Sequence, residues 1–464
     1  MTETIKKSLR DSKTARWTAL AIVSFMMLTG YFLTDVMAPL KGLLEGKLTW
    51  DSSDFGFFNS AYGWFNVFLL MLIIGGIILD KMGVRFTGLM AASVMVAGTA
   101  LKYWAVSTHS LDGVLWHVGW FDVKAQVFMA SLGFAIFAVG VEVAGITVSK
   151  IIVKWFKGKE MALAMGLEMA TARLGTAAAL ATSVPIAKAL GVTDLSRPIL
   201  LALILLVIGM LTFIVYIFMD KKLDASEAEA KRLAPEEESF KLSDILNIIT
   251  NKGWWYIAIL CVLFYSSVFP FLKYASDLMV NKFGISESWA GSIPAMLPFG
   301  TILLTPLFGN LYDRKGKGAS IMVLGSILLI FVHAMFSIPF LDMKFLAIVL
   351  ILILGVGFSL VPSAMWPSVP KIIPERQLGT AYALIFWVQN WGLMGVPYLI
   401  GIVLEKYCIT GQVMREGVSV NTYDYTLPMM IFTGFGILAF VFALLLKAED
   451  KKKGYGLQLP NIQK

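Results

Sequence analysis

Within the long apolar runs of this 464-residue chain stand only a few charged side chains. Glu142 lies in Gly140-Val-Glu142-Val-Ala-Gly145, and Arg173 lies in Ala170-Thr-Ala-Arg173-Leu-Gly175. A carboxylate can hold an ammonium group, and a guanidinium can grip a carboxylate through two parallel hydrogen bonds. Charges inside such runs are costly and usually functional. The competing role is a pair that neutralises itself within the packing. Asp35, in Tyr31-Phe-Leu-Thr-Asp35, is a further site or gate candidate. Lys273 and Asp277, four residues apart, read as a pair satisfied along one helix face and are left out of the site. Glu168 reads as a gate or loop contact rather than a ligand. Trp64, Asn66, Tyr265, Trp387, Gln389 and Asn390 are candidate cavity-lining residues, with ordinary helix packing as the competing role of each aromatic one.

Other chemistries find no support. The two cysteines, Cys261 and Cys408, cannot build a disulfide framework or a zinc site alone. Of the three histidines, His109 and His117 share one predicted loop. There is no glycine-rich phosphate loop, no metal-ligand cluster and no nucleophile–base set, so no enzyme, metal or cofactor is expected.

The elements that hold these charges follow from composition. Apolar residues make up 58% of the chain and charged ones 15%, against about 45–50% and about 25% in a soluble domain. A helix crossing the hydrocarbon needs roughly 20 apolar residues. Unbroken apolar runs give twelve spans, at about 17–41, 55–79, 86–107, 126–150, 161–190, 198–219, 254–282, 288–312, 318–340, 344–370, 377–405 and 425–447. They are not alternating, so they read as helices rather than barrel strands. The first 16 residues are polar and the run after them is too long for a signal peptide's apolar core. The expected division is an N-tail over 1–16, six helices over 17–219, a charged linker over 220–253, six helices over 254–447 and a C-tail over 448–464. A short surface helix is expected at Lys241–Ile249 within the linker.

Lysine and arginine set the orientation. With the N-terminus inside, inner segments carry 27 of the 39 basic residues and outer loops 9. This bias places both termini and the linker in the cytoplasm. It also accounts for the net charge of +8 without a nucleic-acid partner.

The loop after span two, Gly76-Ile-Ile-Leu-Asp80-Lys81-Met-Gly83-Val-Arg85, returns after span eight as Gly309-Asn-Leu-Tyr-Asp313-Arg314-Lys-Gly316-Lys317. The offset of 233 residues is half the chain, which implies two parallel repeats about an axis along the membrane normal. In each loop the glycines permit a tight turn and close helix contact. The aspartate can face a helix N-terminus, and the basic residues can pair with it or with lipid phosphate. Such a loop is a latch at the inner end of a helix pair. It resembles the signature loop of the major facilitator superfamily. The resemblance implies an all-α polytopic membrane protein of twelve transmembrane helices in two pseudo-symmetric six-helix halves.

A narrower resemblance is carried by Tyr62-Gly-Trp64-Phe-Asn66-Val, Trp155-Phe-Lys-Gly-Lys159-Glu, Val268-Phe-Pro270-Phe, Met365-Trp366-Pro367, and Pro374-Glu375-Arg-Gln-Leu-Gly379-Thr-Ala-Tyr382, together with Gln389-Asn390. These stretches are similar to the lysosomal dipeptide uniporters of that superfamily and their bacterial relatives. The resemblance implies alternating-access movement of dipeptides, with Glu142 for the substrate ammonium and Arg173 for its carboxylate. The family's two site residues stand in matching contexts 31 residues apart, as here. At 1.5 Å per residue Arg173 lies about 18 Å, and Glu142 about 12 Å, from the inner ends of their helices. A dipeptide is a zwitterion no more than roughly 7 Å long, for which one carboxylate and one guanidinium are the minimum apparatus. The animal member has a glycosylated lumenal partner and a sorting signal. This chain has no Asn-x-Ser/Thr sequon and no acidic dileucine in its N-tail, so a bacterial cytoplasmic membrane is expected (a lysosomal one if eukaryotic) and the accessory partner is not carried over.

Of the 16 prolines, 12 follow the linker, and Pro270, Pro294, Pro298, Pro362, Pro367 and Pro370 fall in or at the ends of spans seven, eight and ten. They point to a rigid first half and a bent second half that closes over the charges. The alternatives are a proton-coupled peptide carrier, an organic-anion carrier of the same fold, and a non-transporting sensor. The absence of an E-x-x-E-R motif from span one speaks for uniport. An anion carrier would surround the site with cations, yet Glu142 accompanies Arg173. A sensor would bring a soluble domain that this chain lacks.

Overall fold

The computed structural model describes residues 9–119, 121–156, 159–226, 242–374, 377–415 and 417–461. Helix α1 (Lys13–Asp35) opens on Ser12, whose side chain accepts from the Ala15 amide and so satisfies one of the orphan donors of a first turn. The short α2 (Lys41–Leu48) leads into α3 (Ser52–Phe68), which begins on a reciprocal cap between Asp51 and Asp54. Helices α4 (Met71–Ser107), α5 (Ala125–Phe156), α6 (Met161–Ala187) and α7 (Ser196–Ser226) complete the first set. Between α7 and the second set lies α8 (Leu242–Ile249), where a surface helix is expected at Lys241–Ile249; Lys241 itself lies outside the described residues.

The second set runs α9 (Lys252–Phe283), α10 (Glu287–Ala290), α11 (Ser292–Lys315), α12 (Gly318–Ser337), α13 (Lys344–Ile372), α14 (Leu378–Tyr407) and α15 (Thr426–Lys453). Among the described residues, 11 helical segments are long and apolar enough to cross a membrane. The count reaches twelve because Gly83, at φ 75° and ψ 173°, divides α4 into the end of span two and all of span three.

The structure departs from the sequence reading in three places. Span two is broken at Leu69–Leu70, where Leu70 takes the left-handed conformation at φ 53°, although no glycine or proline marks the spot. The sixth membrane helix continues to Ser226, because Asp220 is buried in a polar cluster rather than solvated at the start of the linker. It pairs with Lys154 at 2.6 Å and Arg85 at 3.5 Å, and Tyr216 donates to it at 3.0 Å. Two connections fold as antiparallel hairpins, β1 (Leu115–Val118) with β2 (Phe121–Lys124) and β3 (Ile409–Arg415) with β4 (Val418–Tyr423). The side bearing them is the hairpin face. The opposite side, where α1 begins and α15 ends, is the terminal face.

On the terminal face residues after α15 fold back as a strap. The amides of Lys317 and Gly318 donate to the carbonyls of Gln458 and Leu457, each at 2.9 Å. The strap fits because Gly316, at φ 69°, has no side chain; a Cβ there would stand 2.4 Å from the Gln458 carbonyl oxygen. At Gly83 no heavy atom lies within 4 Å of such a Cβ.

The two turn glycines therefore give different expectations. Gly83→Ala should cost only the strain of a glycine-type backbone, about 1–3 kcal/mol. Gly316→Ala should add a clash that expels the strap. Limited proteolysis should cut Gly316→Ala beyond Lys453 while sparing Gly83→Ala, and equal resistance of both would contradict the strap.

Candidate functional site

Helices α1, α3, α5 and α6 from the first set, with Leu72 at the start of α4, and α9, α13 and α14 from the second surround a cavity of about 360 Å³. Three of its lining groups are charged and unpaired. Glu142 presents one oxygen to the Tyr62 hydroxyl, which donates at 2.7 Å. Among the described residues it forms no ion pair, and the same holds for Arg173 and Glu168, which also line the cavity. Arg173 is instead set among rings, its guanidinium carbon 5.3 Å from the Phe358 centroid, 5.4 Å from Phe269 and 5.9 Å from Tyr31. Aromatic faces stabilise a cation without neutralising it. The self-neutralising pair is therefore not what the geometry contains. A separated carboxylate and guanidinium in one cavity can hold a ligand that carries both an ammonium and a carboxylate.

One end of the cavity is plugged. Asp35 lines it, but its carboxylate is held by Lys273 at 2.6 Å, and Lys273 also donates to the Thr34 carbonyl at 2.7 Å. Asp277 accepts instead from Lys41 at 2.9 Å, with both side chains nearly inaccessible. The intrahelical Lys273–Asp277 pair expected from their spacing does not form, because each finds a partner across the boundary between the two sets. Lys188–Glu287 at 2.7 Å adds a third ion pair across that boundary, and Glu405 accepts from the Ser52 amide at 3.1 Å. The β3–β4 hairpin joins the seal, with the Asn421 amide and the Tyr423 hydroxyl donating to Glu45 at 2.9 and 3.1 Å. Beneath them α3 and α14 touch so closely that a Cβ on Gly56 would lie 3.0 Å from the Gly401 Cα. All these contacts lie on the hairpin face. Toward the terminal face the lining continues to Ser149, Ile152 and Met165 with no such seal among the described residues.

The remaining sequence candidates divide. Tyr265 and Gln389 line the cavity; Tyr265 accepts from the Trp366 indole at 3.1 Å, and Gln389 accepts from the Cys261 thiol at 3.5 Å. Trp64, Asn66 and Asn390 do not line it. Trp64 donates to Ser60 and packs edge-on against Phe57, so it serves the helix surface. Asn66 and Asn390 are buried and spend their amides on carbonyls one turn back in their own helices. Trp387 donates to the Val67 carbonyl at 3.1 Å and bridges α14 to α3. Tyr62, Tyr31, Lys273, Glu168, Phe269 and Trp366 are lining residues that the sequence reading did not place in the site. Tyr62, Phe269 and Trp366 stand in the stretches that carry the narrower family resemblance, so a signal for them exists in the sequence.

The two signature loops differ in detail. Asp80 pairs with Lys150 at 2.7 Å, whereas Arg85 reaches Asp224 at 2.9 Å rather than the aspartate of its own loop. Asp313 accepts from Asn461 of the strap at 2.7 Å. Lys81 and Arg314 are exposed. A Cβ on Gly76 or Gly309 would meet nothing within 4 Å, so the close helix contact expected of them is not made in this state.

Comparison with known proteins adds independent findings. The family model for the Major Facilitator Superfamily matches residues 20–397. The chain is 27% identical over 396 residues to the lysosomal dipeptide transporter MFSD1 of Danio rerio, covering 83% of this chain and 80% of the relative. Against the Homo sapiens protein of the same name it is 26% identical over 399 residues, covering 84% and 80%. Among solved structures, a bacterial homologue of the human lysosomal transporter Spinster, inward-facing and unoccupied, superposes with TM-score 0.69 at 11% identity, over 98% of this chain and 99% of that one. The nucleoside transporter NupG gives TM-score 0.65 at 15% identity, over 93% and 98%. At such identities these two structures speak for the fold alone.

The seal makes an accessibility prediction. In detergent a cysteine at Ser149 should react with a water-soluble maleimide, whereas one at Ser276, buried on the sealed side, should react only after denaturation. The native Cys261 and Cys408 are both buried and contribute little background. The reverse labelling order would mean that the cavity opens on the hairpin face.

Proposed function

From the premise that this chain belongs to the major facilitator superfamily, and is thus a multi-pass membrane transporter rather than an enzyme, we propose that it moves dipeptides by alternating access. Glu142 takes the substrate ammonium and Arg173 its carboxylate. The observation that carries this reading is the pair of unpaired, opposite charges in one cavity, the carboxylate oriented by Tyr62 and the guanidinium framed by rings. A ligand bearing both termini completes two half-made charge pairs, whereas a simple anion leaves Glu142 unanswered. The names of the similar relatives agree with this substrate class.

The described state is closed on the hairpin face and open toward the terminal face. With both termini in the cytoplasm, as the basic-residue bias requires, that is an inward-facing state. We take transport to be uniport, as the family resemblance implies, with the intramembrane Asp35 committed to Lys273. Asp80 and Asp313, remote from the cavity, govern the conformational equilibrium rather than binding. The bacterial cytoplasmic membrane is the proposed location.

The substitutions Glu142→Gln and Arg173→Ala separate the two termini. Binding measured by ligand-induced thermal stabilisation should fall more than about tenfold for free-amine dipeptides in Glu142→Gln, with N-acetylated ones comparatively spared. Arg173→Ala should lose free-acid dipeptides and comparatively spare C-terminal amides. Tyr62→Phe should follow Glu142→Gln in pattern with a smaller loss, because it removes one hydrogen bond to the carboxylate and not the charge. Equal losses for all blocked and unblocked ligands would mark the two residues as structural.

A further inference from the structure

Lys102, in the span-three part of α4, is fully buried, and no carboxylate lies within ion-pair distance of it among the described residues. Its ammonium sits 4.8 Å from the Phe134 centroid and 5.1 Å from Phe58, and its one hydrogen bond is a long 3.5 Å contact to the Leu33 carbonyl. An apolar side chain would fill that space without the cost of burying an ammonium. The lysine therefore calls for a use that this state does not show.

Its position supplies one. Helix α1 ends at Asp35, so the carbonyls of Leu33 and Thr34 and the Asp35 carboxylate together form the negative end of that helix. Two lysines converge there. Lys273 holds the Thr34 carbonyl and the Asp35 carboxylate, while Lys102 holds the adjacent Leu33 carbonyl. The Phe134 ring is close to both, 5.9 Å from Lys273 and 4.8 Å from Lys102. The two differ in allegiance. Lys273 belongs to the last six spans and must leave α1 when the hairpin face opens. Lys102 belongs to the first six spans and stays.

We propose that Lys102 is a positioning residue that replaces Lys273 as the partner of Asp35 when the hairpin face opens. Without a replacement, opening would leave the Asp35 carboxylate without a cation at the end of α1, and the lost pair would favour the state seen here. With Lys102 beside the same helix end, a rotation of its flexible stem past the edge of Phe134 restores the pair. The end of α1 is then a cation site with two alternating occupants, and the exchange keeps the two conformations close in free energy. This inference rests on the alternating-access part of the proposed function and not on the identity of the substrate.

The test measures conformation without any dipeptide. Spin labels at Leu190 and Phe340, exposed on the hairpin face in the first and last six spans, report its separation by pulsed electron resonance in liposomes, in a background lacking Cys261 and Cys408. Relative to the parent protein, Lys273→Met should enlarge the wide-separation population, and Lys102→Met should shrink it on the order of tenfold or more. The double variant Lys102→Met/Asp35→Asn should recover the wide population, because no charge then needs a partner. This variant also covers the case in which Lys102→Met alone folds poorly. An unchanged population in Lys102→Met, or a double variant as depleted as the single one, would overturn the exchange and leave Lys102 as packing. One unvarying separation in the parent and in Lys273→Met would remove alternating access itself, and the exchange with it.

Discussion

An ionised group inside an apolar medium must have a partner, and the arrangement of this protein follows from how few such groups it carries and where their partners are found. Among the described residues, most buried charges are answered across the boundary between the two sets of helices, answered within one set, or left open in the cavity; Lys102, held only by a carbonyl and two rings, stands apart. Lys273–Asp35 and Lys41–Asp277 are of the first kind and close the hairpin face. Lys154 and Arg85 around Asp220 are of the second and fasten the first set at its terminal end. Glu142, Glu168 and Arg173 are of the third, and they line the cavity.

This division separates binding from movement. In the alternating-access cycle proposed above, the pairs that cross the boundary break only when the sets separate on the hairpin face, so their strength would decide which face is open. The unpaired charges lie within the first set, on α5 and α6, and keep their relation to one another as the sets move. The second set offers them mainly rings and polar edges, among them Phe269, Tyr265, Trp366 and Gln389. A ligand whose two ends are gripped by one set and covered by the other is handled alike from either side. With Asp35 and Lys273 cancelling, the remaining charges of the cavity are two carboxylates and one guanidinium.

Much of this was legible in the sequence because a membrane permits so little. The spans, their grouping around a charged linker, the repeated loop and the isolated Glu142 and Arg173 all follow from the rule that polar groups in apolar runs are exceptional. What was not legible depends on which helices face one another. Lys273 and Asp277 stand one turn apart and look self-sufficient, yet both are claimed by α1 and the segment after it. Tyr62, Trp64 and Asn66 lie within five residues, and only the tilt of α3 against α5 decides that Tyr62 meets Glu142. The break at Leu69–Leu70 has no local signature and is set by tertiary packing. The two hairpins do have one, Gly119 and Gly417 at φ 66° and 80° beside β-branched and aromatic runs, which a search for unbroken apolar spans passes over.

The central claim is that the unpaired carboxylate and guanidinium of this cavity receive the two ends of one small zwitterion and carry it across the membrane. Uptake of a labelled dipeptide into proteoliposomes, competed with unlabelled dipeptides, free amino acids and tripeptides, tests it most directly. The account predicts uptake that stops at equal concentrations on the two sides and is blocked by dipeptides, with free amino acids and tripeptides much weaker as competitors. Absence of dipeptide uptake, or equal competition by single amino acids, would contradict it.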